Sequence, residues 1–367
     1  MSNPIKVLII SGYGSVHTSR PEAEIAIGLA KTGIDITIMT DSLSPYIEIF
    51  KDAGIKIIDY YPHKKFSRKS VKFIRQTIID GGFNILHLYT STAIVNGIKA
   101  ARNLKVKVVL YRGVPDNVQW YDPTSYLKYL HPRVDKIVCN AKAVEDYFHK
   151  QLFFKKEKTI TINKGHNVDW YSSTVPADRK ELNVSDDDFV VVFVGNNRPM
   201  KGVPYLLKAF NHLPVDLPIH LIIAGSNMRN KENDSIVNSS PNKKRIHFIG
   251  FRNDILPIVA ASDTLVLSSV KRESITRAVF EAMSLKIPAI ITNIPSNREF
   301  ADDKIETVVV VPIKDEKAIA DAILDLYHNP EKRKVVGENG YNHIRTKLNN
   351  KRTVLEMKKL YEELVQE

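Results

Sequence analysis

Short apolar runs alternate with helical patterns along the whole 367-residue chain. The first half contains the runs IKVLIIS, DITIMT, KIIDY, ILHLYT, KVVLYRG and DKIVCNA. The second half contains FVVVFVGN, IHLIIAGS, RIHFIG, DTLVLSS, PAIITN and TVVVVP. Continuous apolar strands separated by helices are typical of a parallel β-sheet with helices on both faces. Because the pattern occurs twice, the sequence predicts an α/β protein with two doubly wound, Rossmann-like domains.

The polar segment NVDWYSSTVPADRKELNVSDDD lies between the two sets of runs and is typical of a linker. We therefore expect an N-terminal domain over residues 1–168 and a C-terminal domain over residues 169–348. The final segment, NKRTVLEMKKLYEELVQE, has a helical pattern and no strand after it. We expect a helix over residues 349–367 that crosses back to the N-terminal domain. Near the start, PEAEIAIGLAKTG predicts a helix from Pro21 to Gly33.

The basic excess lies almost entirely in the first half. The chain has a net charge of +12. Residues 1–165 contain 25 Lys and Arg against 14 Asp and Glu, a net +11, whereas the remainder has 28 against 27, a net +1. This asymmetry predicts that one domain meets an anionic surface: nucleic acid, membrane headgroups or an acidic substrate. No apolar run reaches the roughly 18–20 residues of a membrane-spanning helix, so we expect a cytoplasmic protein.

A large share of the basic excess lies in HKKFSRKSVKFIRQTIID. Its apolar positions form one helical stripe and its basic positions form another, which consists of Lys65, Arg68, Lys72 and Arg75. One interpretation is an ordinary amphipathic helix with a solvated basic face. The other is a helix that docks onto an anionic inner membrane surface, which would make the protein peripheral on the cytoplasmic face. No nucleic-acid-reading motif accompanies the basic residues, so we predict no nucleic-acid partner.

The loop after FVVVFVG contains two cations, Arg198 and Lys201, between Gly195 and Gly202. Glycines let a backbone approach a ligand closely, and two cations suit a phosphate or diphosphate. The alternative is two solvated basic residues in a loop. Cys139 is the only cysteine, so neither an intrachain disulfide nor a cysteine zinc site is possible.

Two glutamates lie eight positions apart in RESITRAVFEAMSLKIPA. Glu273 falls at a predicted loop tip after a strand, and Ser274 is a candidate N-cap for the helix that follows. Glu281 would lie about two turns into that helix, where it can form a weak surface pair with Arg277. The alternatives are two surface residues or two carboxylates that hold one ligand, and the spacing alone does not decide between them.

Four segments of the second half resemble the donor half of the retaining GT-B glycosyltransferases, specifically the family 4-like group. The segments, in that family's order, are VGNNRPMKGVPYLLKAF, IHLIIAGS, the stretch from IHFIGF to SNREF, and VVVVPIKDEKAIADAILDLY. The first half is similar to it more loosely, through GSVHTSRPEAEIAIGLAKTGIDITIMT and FNILHLYTSTAIVNGIKAARNLKVKVV. The resemblance implies two domains that face a central cleft.

The resemblance also assigns roles. Glu281 would accept the ribose hydroxyls, and Glu273, with the backbone amides from Ser274 onward, would hold the sugar being transferred. Arg198 and Lys201 would clamp the diphosphate beside Gly195 and Gly202, and the loop of Arg252 would line the nucleobase. Three positions depart from the family pattern. Asn196 replaces an arginine, Lys286 and Ile287 replace a glycine, and Arg112 with Gly113 replaces an acceptor-side histidine.

On the acceptor side, the segment SGYGSVHTSRPE follows the first strand and supplies Gly14, His17 and Arg20. Arg112 follows KVVLY and is a fourth candidate. A loop histidine such as His17 is more often solvated than functional, and the alternative for Arg112 is a structural salt bridge. His87, within a strand, is interpreted as a histidine whose hydrogen bonds are satisfied internally.

The resulting hypothesis is transfer of a sugar from a nucleotide sugar, UDP or GDP favoured, to a hydroxyl of a glycolipid or cell-surface polysaccharide. The acceptor is expected to be lipid-linked or of lipopolysaccharide, O-antigen or capsule type, and the resemblance implies retention of the anomeric configuration. We predict no metal, since no Asp-x-Asp loop follows a strand, and no cofactor, since the nucleotide sugar is a substrate. The rival hypotheses are an epimerase or hydrolase of nucleotide sugars with the same fold, and a basic nucleic-acid-binding protein.

Overall fold

The computed structural model describes residues 4–152 and 155–366. They form two compact units. Unit 1 comprises the described residues up to Gly165 and those from Leu348 onward, and unit 2 is His166–Lys347. The sequence placed this boundary three residues later, after residue 168. Residues 1 and 367, at the predicted outer ends, lie outside the described part.

Unit 1 is built around a seven-stranded parallel sheet in the order β3-β2-β1-β4-β5-β6-β7. Its strands are β1 Lys6–Ile10, β2 Asp35–Thr40, β3 Lys56–Asp59, β4 Ile85–Leu88, β5 Lys107–Arg112, β6 Lys136–Cys139 and β7 Thr159–Thr161. The helices between them are α1 Val16–Lys31, α2 Ile47–Asp52, α3 Arg68–Gly81, α4 Ser91–Ala100 and α5 Lys142–Gln151. In the register, Ile9 of β1 lies between Ile38 of β2 and His87 of β4.

Unit 2 contains a six-stranded parallel sheet in the order β10-β9-β8-β11-β12-β13. Its strands are β8 Phe189–Val194, β9 Ile219–Ala224, β10 Ile246–Gly250, β11 Thr264–Leu267, β12 Ala289–Thr292 and β13 Val309–Val311. Its helices are α6 Val203–Ala209, α7 Lys231–Ser239, α8 Ile255–Ala260, α9 Arg277–Ser284, α10 Glu316–His328 and α11 Pro330–Thr346. In the register, Val192 of β8 lies between Ile222 of β9 and Leu265 of β11.

The predicted pair of doubly wound α/β units is confirmed, and all twelve predicted runs contain a strand. The sequence missed β7, which adds a strand to the edge of the first sheet. This strand has only three residues, Thr-Ile-Thr, so it contains no continuous apolar run by which the sequence could reveal it.

The predicted start of the first helix is wrong. Helix α1 begins at Val16, so Pro21 lies inside it and His17 is a helical rather than a loop residue. A proline inside a helix removes one backbone hydrogen bond. Here the Pro21 ring is buried in the core of unit 1, which offsets that loss.

The last helix, α12, spans Asn350–Gln366 and belongs to unit 1. It packs against α1, where a Cβ on Gly28 would come within 2.5 Å of the Val354 side chain. The hydroxyl of Tyr361 lies 2.7 Å from Nδ1 of buried His87. Burial lowers the pKa of His87 to about 3, so this histidine stays neutral.

The predicted basic stripe is only partly present. Helix α3 begins at Arg68 after the N-cap Ser67, so Lys65 precedes the helix. The Arg75 guanidinium donates to the carbonyl oxygens of Ala100 and Arg102, at 2.9 and 2.6 Å. Arg75 therefore binds the end of α4 instead of facing outward. Within residues 4–152 and 155–366, no helix has both the length and the apolarity needed to cross a bilayer.

Candidate functional site

Two loops meet at the carboxyl ends of β8 and β11, which are neighbours in the sheet of unit 2. Chain order reverses between these strands, since β9 and β10 continue on one side and β12 and β13 on the other. Ligands of doubly wound sheets bind in the crevice at such a switch point. The loop after β8 carries Gly195–Gly202, and the loop after β11 carries Ser268–Thr276.

Direct backbone contacts join the two loops. The Val270 amide donates to the Met200 carbonyl at 2.8 Å, and the Ser268 hydroxyl donates to the Lys201 carbonyl at 3.0 Å. Gly202 has a φ of +65°, and a Cβ there would lie 2.1 Å from the Ser268 carbonyl oxygen. Both the dihedral angle and the close approach therefore require glycine.

Gly195 has a different role. A Cβ on Gly195 itself would make only ordinary contacts, but its carbonyl oxygen would lie 1.7 Å from a Cβ placed on Gly225. The Gly195 carbonyl is thus packed against the loop after β9. Asn196, where the family often has arginine, accepts a hydrogen bond from the Ser226 amide at 3.2 Å and ties the same two loops together.

The loop contacts bring Lys201 and Glu273 together. The Lys201 Nζ lies 2.9 Å from Glu273 Oε1. The Ser269 hydroxyl donates to the same oxygen at 3.1 Å, and the Thr276 hydroxyl donates to Oε2 at 3.2 Å. Glu273 is only 6% exposed, so its predicted position at a loop tip is wrong. The preceding residue, Arg272, has a φ of +55°, which turns the chain inward.

Helix α9 begins later than the sequence predicts. Its N-cap position is Thr276, and Ser274 lies in the loop before it, so Ser274 is not the N-cap. Glu281 is consequently one turn into the helix rather than two. The ion pair between Arg277 and Glu281 that the sequence offered as an alternative to ligand binding is present, with Arg277 Nε 3.2 Å from Glu281 Oε1.

That pair leaves part of the Glu281 carboxylate unused. Glu281 is 5% exposed, and its Oε2 accepts no hydrogen bond from any described residue. Burial raises the pKa of Glu281 to about 7, against the opposing charge of Arg277. A buried carboxylate oxygen with no donor is costly, and Glu281 Oε2 therefore has an unused capacity to accept a hydrogen bond.

The two predicted donor-side arginines, Arg198 and Arg252, form no ion pair with Glu273 or Glu281. Arg198 is exposed in the loop after β8, and its side chain pairs with no described residue. Arg252 forms a two-bond pair with Asp254, at 2.7 and 2.5 Å. The structure thus places Lys201, but neither arginine, within ion-pair distance of Glu273 or Glu281.

The four acceptor-side candidates of unit 1 have different surroundings. Gly14 lies in an exposed turn where a Cβ would meet nothing within 4 Å, so its backbone does not require glycine. His17 and Arg20 lie on α1. Arg112 donates to the Val114 carbonyl at 2.9 Å and pairs with Asp116 at 2.8 Å, which is the structural salt bridge that the sequence left open.

Sequence reasoning missed a partly buried ion pair in unit 1. The Lys164 Nζ lies 3.2 Å from Glu22 Oε2 and 4.2 Å from the centre of the Tyr111 ring. Burial alone would lower the pKa of Lys164, but the Tyr111 hydroxyl and the Glu22 carboxylate raise it above its usual value. No spacing motif links residues 142 positions apart, so the sequence offered no signal for this pair.

Two family models match this chain, one to each half. The model described as "Glycosyl transferases group 1" matches residues 174–343, within unit 2. The model described as "Glycosyltransferase Family 4" matches residues 23–170, most of which lie in unit 1.

Individual relatives are distant. The uncharacterized glycosyltransferase MJ1069 of Methanocaldococcus jannaschii is 28% identical, and the match covers 98% of this chain and 99% of that protein. UDP-Gal:alpha-D-GlcNAc-diphosphoundecaprenol alpha-1,3-galactosyltransferase of Escherichia coli is 27% identical over 44% of this chain and 43% of that protein. The chain spans about half the length of several other curated relatives that it matches.

Among solved structures, the chain is similar to Anabaena HepE in complex with UDP. The TM-score is 0.79 at 16% sequence identity, and the match covers 98% of this chain and 100% of that one. At this identity the likeness concerns the fold.

Proposed function

We propose that this chain, which has the GT-B fold, is a group 1 glycosyltransferase that transfers a sugar from a nucleotide sugar to a hydroxyl of a lipid-linked or polysaccharide acceptor. The matches to the two glycosyltransferase family models favour transfer over epimerisation, hydrolysis or nucleic-acid binding. One observation carries the proposal: a Lys201–Glu273 pair at the switch point of unit 2, on the same segment as a glutamate with an unused buried oxygen.

In this proposal, Glu281 Oε2 accepts a hydrogen bond from a ribose hydroxyl. Glu273 already accepts three hydrogen bonds or ion-pair contacts, and a carboxylate offers about four lone-pair sites, so one site is left for a sugar hydroxyl. Lys201, which these contacts fix in place, stabilises the negative charge that develops on the departing diphosphate. Arg198, which is exposed and has no acidic partner among the described residues, adds a second cation from the same loop.

We further propose retention of the anomeric configuration by a front-face route. The leaving phosphate oxygen takes the proton of the acceptor hydroxyl as the new glycosidic bond forms on the face that the phosphate leaves. The chain then needs no carboxylate base near the acceptor. The proton on the anomeric carbon of the product, observed by NMR with a donor of known configuration, tests this step, since an inverted product would exclude it.

UDP is the nucleotide best supported for the donor, because the similar HepE was solved with UDP bound. A lipid-linked acceptor is supported by the name of the E. coli relative, whose substrate is a diphosphoundecaprenol-linked sugar. The UDP-linked donor and the lipid-linked acceptor are both proposals for this chain.

A thermal-shift panel tests the donor site. We expect one class among UDP, GDP, ADP and CMP and their common sugars to raise the unfolding temperature of the wild type. Glu281→Ala should lose this shift, whereas Glu331→Ala, a substitution of an exposed glutamate at the start of α11, should keep it. No shift with any nucleotide at millimolar concentration would contradict the proposal.

The exposed basic residues of α3 provide the proposed membrane contact. Arg68, Lys69 and Lys72 are exposed, and Lys65 precedes them. Each basic residue near an anionic surface contributes about 1 kcal/mol, screened by salt. We expect Arg68→Gln, Lys69→Gln and Lys72→Gln together to abolish co-sedimentation with phosphatidylglycerol vesicles. Arg75→Gln should leave co-sedimentation intact, because Arg75 binds backbone carbonyls, and equal sedimentation of all three proteins would refute the contact.

A further inference from the structure

Helix α9 carries Arg277 at its first position and Glu281 one turn later, so the two side chains lie on the same face of the helix. Arg277 Nε lies 3.2 Å from Glu281 Oε1. Glu281 is 5% exposed, whereas the Arg277 side chain is 38% exposed. The pair therefore links a half-buried cation to a buried carboxylate, and water and salt screen it less than a pair on the surface.

The arginine contacts only one of the two carboxylate oxygens. Glu281 Oε2 and Arg277 Nη1 are both buried and have no hydrogen-bond partner among the described residues. The Arg252–Asp254 pair shows the alternative, since its two contacts, at 2.7 and 2.5 Å, occupy both oxygens of the aspartate. In the pair on α9, one oxygen is held by the arginine and the other keeps its capacity to accept a hydrogen bond.

The secondary-structure elements packed against α9 bring no other charge to this carboxylate. They include α8, α11, β11 and β12, and α8, β11 and β12 contain no titratable side chain. On α11, Glu338 pairs with Lys286 at 2.6 Å, and His343 lies 2.9 Å from the Glu299 carbonyl oxygen. Among the described residues, Arg277 is thus the only ion-pair partner of this carboxylate.

The titratable groups in the neighbouring loops have contacts of their own. The His166 ring stacks on Phe280 of α9, with 4.0 Å between the ring centres. Glu273, in the loop before α9, is neutralised by Lys201 at 2.9 Å. Neither group forms an ion pair with the carboxylate on α9 among the described contacts.

Arg277 is therefore the charge that opposes the burial of Glu281. Burial raises the pKa of Glu281, and the guanidinium lowers it. Contact at a single oxygen also fixes the rotation of the carboxylate, and a ligand-binding group needs such a fixed direction.

We propose that Arg277 is a positioning residue of the donor site, which holds Glu281 Oε1 so that Oε2 faces the ligand, and which favours the ionised carboxylate. The identity of this ligand as the ribose of the sugar donor rests on the proposed function. The coupling between the two side chains depends only on their geometry and burial.

A ¹³C NMR titration of the Glu281 carboxyl group in nucleotide-free protein tests this coupling, with Glu281→Gln to assign the signal. We expect Arg277→Leu to raise the titration midpoint of Glu281 by about one pH unit, because the opposing cation is lost. Arg277→Lys should raise it less, since the charge is kept. Arg345→Leu removes an exposed arginine of α11, and this matched control should leave the midpoint unchanged.

The affinity for UDP-glucose over the same pH range tests the positioning. The diphosphate of this probe is esterified at both ends, so its own charge stays constant near neutral pH. We expect Arg277→Leu to bind about fivefold more weakly than the wild type near pH 7, and the loss should disappear by about pH 9, where Glu281 is ionised in both proteins. Arg277→Leu combined with Glu281→Gln should bind no more weakly than Glu281→Gln alone, because Arg277 acts through that carboxylate.

An unchanged Glu281 midpoint in Arg277→Leu, or a loss of UDP-glucose affinity that is equal at every pH, would overturn the proposal. A double variant that binds more weakly than Glu281→Gln would place Arg277 in contact with the donor itself, which also overturns a role through Glu281. A raised midpoint in a protein that binds neither UDP-glucose nor another nucleotide sugar would establish the coupling and reject the proposed transferase function.

Discussion

Each unit contains a largely buried lysine–glutamate pair, and the two pairs have different surroundings. In unit 2, Lys201 meets Glu273 at 2.9 Å, and the two hydroxyls that complete the carboxylate's contacts come from the same short loop. In unit 1, Lys164 meets Glu22 at 3.2 Å and lies over the rings of Tyr111 and Tyr89. The first pair is set among polar groups and the second among tyrosines.

This difference indicates that the two lysine–glutamate pairs have different roles. A polar setting lets a lysine exchange one anionic partner for another, because other donors still satisfy the carboxylate. In unit 1 the second polar partner of the lysine is a tyrosine, because the Tyr111 hydroxyl and the Glu22 carboxylate together raise the pKa of Lys164. Glu22 Oε1, like Glu281 Oε2, has no hydrogen-bond partner among the described residues, so the contrast concerns the two lysines. We propose that Lys164, which lies over the Tyr111 ring, stabilises the fold and that Lys201 contacts the sugar donor.

The largest effect should come from opening the unit 1 pair. Lys164→Met leaves Glu22 without its cation, and we expect it to lower the free energy of unfolding by about 3 kcal/mol. Lys164→Met combined with Glu22→Leu should recover most of the loss, since replacing both partners leaves no unpaired charge. Urea denaturation of the three proteins measures this. A wild-type unfolding midpoint in the single variant would mean that the pair does not hold the fold.

Opening the unit 2 pair should instead affect turnover. We expect Lys201→Ala to lower the rate of nucleotide release from the sugar donor about 100-fold, as removal of one charge-stabilising group commonly does. Its unfolding midpoint should fall less than that of Lys164→Met, because Ser269 and Thr276 still donate to Glu273. Lys208→Ala, on the exposed face of α6, is the control for turnover. Turnover within threefold of the wild type would place Lys201 outside the reaction.

The sequence predicted the unit 2 site and not the unit 1 pair for a physical reason. Lys201 and Glu273 each lie in a loop directly after an apolar strand, so the parallel topology alone brings them to one edge of the sheet. Glu22 lies within a helix and Lys164 follows an edge strand that the sequence did not reveal. Their meeting depends on packing between distant segments, which no local pattern encodes.

Three further positions show the limits of local sequence patterns. Lys286 follows α9 in a left-handed conformation, with a φ of +62°, where glycine is favoured, and it lies where the sequence departs from the family's glycine. The start of α9 was misplaced because Ser274 is as good an N-cap by residue type as Thr276. Arg75 had the right spacing for the basic stripe, but carbonyl groups at the end of α4 bind it, and only the tertiary structure shows them.

Substitutions of the glutamates test the same difference between the two units. Glu281→Ala should weaken UDP binding about tenfold, since a charged hydrogen-bond acceptor for the ribose is lost. Glu22→Gln should leave UDP affinity unchanged and lower only the unfolding temperature. Isothermal titration calorimetry and thermal unfolding of both variants give the two readouts. Equal losses of UDP affinity in both would erase the distinction between the binding carboxylates of unit 2 and the structural carboxylate of unit 1.

The smallest expected effect is a pH dependence that belongs to Glu281. Burial raises the pKa of this carboxyl to about 7, so it is largely protonated at pH 6 and largely ionised at pH 8. The ionised form is the stronger acceptor for ribose hydroxyls, and a ligand that binds this form gains affinity as the pH rises through the pKa. We expect UDP affinity to increase several-fold between pH 6 and pH 8, and calorimetry across this range measures it. Glu281→Gln should remove the increase, because an amide does not titrate. A slope that persists in Glu281→Gln would assign the titration to another group, such as the UDP phosphate. It would mean that UDP binding does not change the protonation of Glu281.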